Sequence, residues 1–253
     1  MEVHAHTHTP RKKWTHYLWE FLMLFLAVFS GFLAENVREH RVEHQREKRY
    51  MQNLLQDLAR DTTHISSQHR FQQRAVTYSD SLVFILNLED RGKYIQDLYY
   101  YSRILAILNP FSPSNATITQ LKSSGSLRLI KNESLVDSVV QYDVWSQRIL
   151  TNDENIQSLI RDFRTSLGLI FDAGVINEMS NIRSITNNGS GSFVNRPVQT
   201  KPLITEDKKI INQFCTYADF LSALYQSQFN ALAAQKERAI RLISLINKEY
   251  HFQ

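Results

Sequence analysis

Residues 21–34 read FLMLFLAVFSGFLA, a stretch that contains no charged residue. With the flank that begins at Trp14, it extends over about 20 residues, enough for a helix to cross roughly 30 Å of hydrocarbon. Nothing later in the sequence repeats this pattern. The stretch therefore predicts one transmembrane helix at residues 14–34, as in a single-pass membrane protein.

A cleavable signal peptide is the alternative, because the basic residues 11–13 precede the apolar stretch. Cleavage after Ala34 would place Phe32 at the −3 position, where signal peptidase requires a small side chain. Beyond Ala34 the chain continues as ENVREHR, a charged helical sequence without a turn. These observations favour an uncleaved anchor.

The charges around the span give two opposed indications of orientation. Three Lys or Arg precede the span and five follow it up to residue 49, which favours a cytoplasmic soluble domain. A short basic tail before a lone span is instead the usual layout of a signal anchor, and long domains translocate largely regardless of charge. We expect the span to lie in a bacterial inner membrane with the soluble domain in the periplasm.

Long helices are the expected structure of the remaining chain, because it contains only 7 Gly and 5 Pro. The predicted fold is all-α: the transmembrane helix continues into a charged stalk at residues 35–49, and an antiparallel helical bundle follows at residues 50–253. The first helix is expected to reach about Leu88. Shorter helices are predicted at residues 95–108 and around Ile118, with a turn at residues 123–126.

Two later helices have clear apolar stripes. One is expected to begin after Asn132 as N-cap, and its seam advances by four and three residues: Leu135, Val139, Tyr142, Ser146, Ile149, Asp153, Ile156, Ile160, Phe163, Leu167 and Ile170. The other is expected to run from about Thr205 to Tyr250. Its steps of four between Tyr217 and Phe229 predict straight or slightly right-handed packing. Residues 180–202, rich in Asn, Gly, Ser and Pro, predict a flexible loop.

Four residues of the span are candidates for a function inside the membrane. Glu20 is an ionisable residue near one edge of the span, suited either to a proton relay or charge pair or to contact with lipid headgroups. Ala27, Gly31 and Ala34 follow one another at short helical spacing, and small residues let two membrane helices approach closely. A homodimer through the span and the stalk is the corresponding expectation.

Catalytic and metal sites are not expected. His40, Glu43 and His44 match the H-x-x-E-H pattern of inverted zinc peptidases, yet they lie on a charged stalk without a convincing third ligand. The N-terminal tail, residues 1–13, has alternating histidines that could bind a metal weakly, although a polar tail explains them too. No cofactor motif is present. The lone Cys215 excludes an intrachain disulfide.

Nucleic-acid binding is also not expected. The net charge of +4 and the pI near 9.1 come from basic and acidic residues that are interleaved along the chain. Nucleic-acid binding requires a concentrated basic surface, and the sequence contains no such block.

Three stretches together carry a resemblance: WEFLMLFLAV at residues 19–28, the stalk entry from Ala34 to Asp61, and LKSSGSLRLI at residues 121–130. They resemble a family of uncharacterised Bacteroidota single-pass membrane proteins that is defined by a domain of unknown function. The resemblance implies a bacterial inner-membrane setting. It implies no activity, cofactor or catalytic residue.

The leading functional hypothesis is a non-enzymatic interaction or scaffold module, anchored in the lipid bilayer, that docks another envelope protein. The second hypothesis is a ligand-sensing bundle that signals through a partner. A remote third hypothesis is a zinc-dependent hydrolase that uses the H-x-x-E-H residues.

Overall fold

A computed structural model describes residues 14–179 and 194–252. These residues form six α-helices and no β-strand, which confirms the predicted all-helical class. The helices are α1 (Trp14–Leu86), α2 (Ile95–Leu105), α3 (Ala116–Ser123), α4 (Glu133–Leu167), α5 (Ala173–Glu178) and α6 (Lys208–Tyr250). The predicted histidine tail and residues 180–193 of the predicted loop lie outside the described residues.

The chain divides into two compact units, Met1–Tyr50 and Met51–Gln253. Helix α1 contributes residues to both units. In the first unit, residues 35–49 are helical, and most of their charged side chains are exposed. There the Nε atom of Arg38 donates to Glu35 Oε2 at 2.8 Å, an i,i+3 pair on the surface of the helix.

Within the second unit, α1 packs against the bundle through a regular heptad seam. The seam residues advance by three and four, the spacing at which one face of a helix meets its neighbours. All are buried except Gln68, which is half-buried: Met51, Leu54, Leu58, Asp61, Ile65, Gln68, Gln72, Ala75, Ser79, Leu82 and Leu86. The seam continues through polar residues that a purely apolar pattern would miss.

Helix α6 runs antiparallel to this part of α1. The His69 ring stacks on Phe229 with centroids 3.8 Å apart. Further along α1, Asp80 Oδ1 accepts a hydrogen bond of 2.8 Å from Ser222 Oγ. Residue numbers therefore increase along α1 in the direction in which they decrease along α6. The same reversal holds between α4 and α6, where Gln228 binds Asp153 and Gln235 binds Ser146.

The chain between α1 and α4 forms a broken return leg along α1. Asn109 accepts from Gln68 at 3.2 Å, and further on the amide of Ser114 donates to Asp61 at 2.7 Å. The leg cannot be one continuous helix, because Pro110 and its near neighbour Pro113 lack the N–H that an α-helix requires. Helices α2 and α3 lie on either side of this interruption.

Two long helices begin directly after residues whose side chains cap them. The predicted N-cap Asn132 is confirmed, since its side chain accepts from the Leu135 amide at 3.2 Å. Helix α6 begins later than predicted, at Lys208, because Asp207 caps it and accepts from the Lys209 amide at 2.7 Å. The predicted turn at residues 123–126 is present, with Gly125 at a φ of 66°.

The predicted packing of α6 is wrong in its period. All eleven seam residues predicted for α4 are buried, although the last of them, Ile170, lies beyond the end of the helix at Leu167. On α6, however, the buried residues follow a heptad instead of steps of four: Ile211, Phe214, Ala218, Leu221, Tyr225, Gln228, Leu232, Gln235, Ala239, Leu242 and Ile246. Steps of four would bury Tyr217 and Phe229, which are only half-buried, whereas the small Ala218 and the polar Gln228 occupy the core positions.

Candidate functional site

The first candidate site is the apolar segment of α1 within the first unit. Residues 14–34 are all exposed, including large side chains such as Met23 and Phe32. Among the described residues, α1 is the one helix long and apolar enough to cross a membrane, and no part of its most apolar stretch is buried. Length and composition alone also suit a signal sequence near an N-terminus.

Glu20 lies on this segment one turn after His16. The distance from His16 Nε2 to Glu20 Oε1 is 3.0 Å, and both side chains are about half exposed. The histidine is therefore a local partner for the carboxylate. The role of Glu20 in a proton relay or at the headgroups stays a prediction.

The small residues of the predicted span lie on an exposed face of α1 that no other described residue covers. Ala27, Gly31 and Ala34 are all exposed. A Cβ atom placed on Gly31 would meet no atom within 4 Å. The close approach of a second helix is sterically free at this position, and self-association through it stays a prediction.

The H-x-x-E-H residues are not part of a metal-ligand cluster among the described residues. His44 Nδ1 lies 3.2 Å from Glu47 Oε2 one turn further on, which gives the ring an ordinary local partner. No group of three or more His, Cys, Asp or Glu residues that could hold a metal occurs in the described part of the chain. The catalytic hypothesis for His40, Glu43 and His44 thus lacks a ligand set.

The second candidate region is a set of buried carboxylates in the bundle. Asp57, Asp61 and Asp153 are each at most 6% exposed. Their oxygens accept hydrogen bonds from backbone amides of the broken return leg: Thr117 to Asp57 at 3.2 Å, Ser114 to Asp61 at 2.7 Å, and Phe111 to Asp153 at 2.8 Å. Buried amides need such acceptors where no helix supplies them. The three carboxylates therefore fix the return leg against α1 and α4.

Asp61 also ties α1 to α4. Its second oxygen accepts from the Tyr142 hydroxyl at 2.7 Å. Burial, and next the charge of Asp61, raise the pKa of Tyr142, so the hydroxyl keeps its proton and donates to the carboxylate. Both oxygens of Asp61 are engaged in structural bonds.

Asp153 has the most perturbed carboxyl of the bundle. Burial raises its pKa from the ordinary 3.8 to about 6, although hydrogen bonds from Phe111 N and Gln228 Nε2 oppose the rise. Both of those bonds are 2.8 Å long. Perturbed carboxyls often mark active sites. Here both oxygens already bind groups of the fold, which explains the environment without a substrate.

Two glutamines of α6 complete this polar network, and apolar spacing alone places neither of them in the core. Gln235 Nε2 donates to the carbonyl oxygen of Tyr142 at 2.9 Å and to Ser146 Oγ at 2.8 Å. Gln228 accepts from Asn152 Nδ2 at 2.7 Å. Continuing the heptad through polar positions would have identified both glutamines as core residues.

Comparisons with protein-family models, with curated proteins and with solved structures found no match to this chain. The resemblance to Bacteroidota membrane proteins consequently stays a prediction.

Proposed function

We propose that the protein is a non-enzymatic interaction module, anchored in a membrane by residues 14–34, whose helical bundle docks a partner protein. The observation that carries this proposal is the apolar segment itself, exposed on all sides within α1. Exposed apolar surface of this extent is unfavourable in water, and lipid would cover it. The same helix supplies a heptad seam to the bundle from Met51 onward.

The polar core supports a structural role for the bundle in place of a catalytic one. The acidic side chains of Asp61 and Asp153 accept bonds from the fold at both oxygens. A general base needs an oxygen that can reach a substrate. These buried carboxylates have no free oxygen for a substrate, so we assign them the role of stabilising the fold of the bundle.

A bacterial inner membrane is the proposed location, with the bundle in the periplasm and an envelope protein as partner. The basic tail before a lone span and the family resemblance support this location. A homodimer through the face of Ala27, Gly31 and Ala34 is the proposed assembly, because that face is open and composed of small residues.

Cross-linking in native membranes tests the interaction role. The tagged full-length chain is cross-linked, solubilised and purified, and co-purified proteins are identified by mass spectrometry. A defined partner should be recovered with the wild type, and a chain whose span is replaced by an unrelated apolar helix serves as control. Recovery of no protein beyond those seen with an unrelated single-pass anchor would contradict the proposal.

Cysteine labelling tests the orientation. In a Cys215→Ser background, Ser227→Cys places a thiol at an exposed position on α6. Intact cells with a permeabilised outer membrane are treated with a membrane-impermeant maleimide. Labelling before lysis agrees with a periplasmic bundle, and labelling only after lysis indicates a cytoplasmic one.

A ligand-sensing bundle is the second candidate function. Gln72 Oε1 and Ser79 Oγ are buried polar atoms on the α1 seam without a hydrogen-bond partner among the described residues. Such atoms are normally met by water or by a ligand. A ligand that raises the unfolding temperature in the wild type but not in Gln72→Leu would support this candidate.

A further inference from the structure

Arginine side chains gather around one tryptophan on the α4–α6 side of the bundle. The Cζ atom of Arg148, on α4, lies 4.5 Å from the centre of the Trp145 ring. The Cζ atom of Arg238, on α6, lies 4.1 Å from the same centre. Arg241 follows Arg238 by three residues and so lies on the same face of α6.

The charges of this arginine cluster (Arg148, Arg238 and Arg241) are not balanced by acidic groups. Within residues 14–179 and 194–252, none of the three forms an ion pair or a hydrogen bond. Four other arginines of the described residues pair with carboxylates: Arg38, Arg60, Arg91 and Arg196. The cluster is therefore a local excess of positive charge in a chain whose charges are otherwise interleaved.

Arg238 is the centre of this excess. Burial lowers the pKa of its guanidinium, and the charges of Arg241 and Arg148 lower it further. Its Nη1 atom is buried and has no acceptor within the described part of the chain. A buried donor without an acceptor is unfavourable, and more so when it is charged.

Packing alone accounts for part of this arrangement. A guanidinium over an indole is a favourable cation–π contact, and the contact of Arg238 with Trp145 joins α6 to α4. That contact does not balance the positive charges of Arg148 and Arg241, whose side chains are exposed. An oxyanion at these two side chains would supply the missing negative charge, because guanidinium forks match phosphate oxygens in pairs.

We propose that Arg148, Arg238 and Arg241 form a binding site for an oxyanion and that its ligand presents a phosphate group. The proposal goes beyond the proposed interaction function and does not depend on it. The Trp145 ring contacts two of the three arginines, so its fluorescence reports on occupancy of the site.

Fluorescence of Trp145 gives a direct test. Replacing the two other tryptophans, Trp14→Phe and Trp19→Phe, leaves Trp145 as the sole indole of the full chain. The chain in uncharged detergent is titrated with inorganic phosphate at constant ionic strength, with chloride as the exchanged anion. We expect a saturable change in emission, and a rise in unfolding temperature over the same concentration range.

Two matched variants separate the site from general charge effects. Arg241→Gln removes one cation that does not contact the indole, so folding is retained, and we expect phosphate affinity to fall at least about tenfold. Arg161→Gln removes the same charge from an exposed position of α4 whose guanidinium reaches only Ser158. We expect its affinity to match the wild type within about twofold.

The same experiment in lipid nanodiscs distinguishes a lipid phosphate from a soluble phosphate as the ligand. Nanodiscs of phosphatidylcholine with and without phosphatidic acid replace the detergent, without added phosphate. A Trp145 response that requires Arg241 and phosphatidic acid assigns the site to a lipid headgroup, whereas a response to free phosphate alone assigns it to a soluble ligand. The proposal is overturned by the absence of any saturable response, or by equal losses in Arg241→Gln and Arg161→Gln.

Discussion

The two parts of α1 present apolar residues in different patterns. At residues 14–34 they surround the helix and are exposed, whereas from Met51 to Leu86 they follow a buried heptad seam. A helix that is apolar around its whole circumference suits lipid, and a helix with one apolar stripe suits contact with other helices. One continuous helix thus contains two arrangements of apolar residues, and the arrangement, not the apolar content, distinguishes its two parts.

The largest expected effect on stability is a difference between the two parts of α1 when a leucine in each is replaced by alanine. Leu58→Ala removes a fully buried side chain of the seam and is expected to lower the free energy of unfolding by about 2–5 kcal/mol. Leu24→Ala removes an exposed side chain of the span and is expected to leave the unfolding of the bundle unchanged. Thermal and denaturant unfolding of the full chain in detergent measure both. Equal losses in the two variants would contradict the assignment of the two patterns.

A second prediction concerns the polar positions of the seam. Asp61→Ala leaves the Ser114 amide and the Tyr142 hydroxyl without their acceptor, and it is expected to destabilise the bundle by about 2–4 kcal/mol. The control Asp162→Ala, at an exposed position of α4, should stay within about 0.5 kcal/mol of the wild type. Denaturant midpoints report the difference. A loss at Asp61 no greater than that at Asp162 would show that the return leg does not need the carboxylate.

The sequence predicts apolar core positions and local caps, but it does not predict which polar residues are buried in the core. The α4 seam was identified from its apolar spacing, and Asn132 was identified as a cap because its side chain acts on its own helix. The α6 seam was misread at Gln228 and Gln235, since their partners lie on α4 and only the fold brings them together. The arginine cluster was missed for the same reason, because Trp145 and Arg238 are far apart in sequence.

The third prediction is a pH dependence from Asp153. Its folded pKa of about 6 lies above the ordinary 3.8, so the folded chain binds this proton more tightly than the unfolded chain does. The contribution of Asp153 to stability is therefore greatest below about pH 4 and is lost as the pH rises through 6.

The measurement compares wild type with Asp153→Asn, which does not titrate at this position. From pH 7 to pH 5 the wild type should gain about 1 kcal/mol of unfolding free energy relative to Asp153→Asn. Chemical denaturation at each pH gives this difference. A difference that is constant with pH would mean that the folded carboxyl titrates normally.

The smallest expected effect lies in the span. Gly31→Leu places a bulky side chain on the open small-residue face and should weaken association between two spans, by about 1 kcal/mol or less. Energy transfer between labelled copies in bilayers measures the association, with Val28→Leu as a control on a neighbouring face. Unfolding of the bundle should not change, because the substituted atom meets nothing in the chain. Association that is unaffected by Gly31→Leu would remove this face from the dimer hypothesis.

The central claim is that residues 14–34 remain in the chain and hold it in a membrane. Alkaline carbonate extraction of cell membranes, followed by intact-mass measurement of the recovered protein, tests this most directly. We expect a full-length chain in the membrane pellet, and release of a Leu24→Arg/Phe25→Arg variant, because each central arginine costs about 2.5–3.5 kcal/mol of insertion free energy. A wild-type chain shortened near residue 34, or one that is extracted by carbonate, would contradict it.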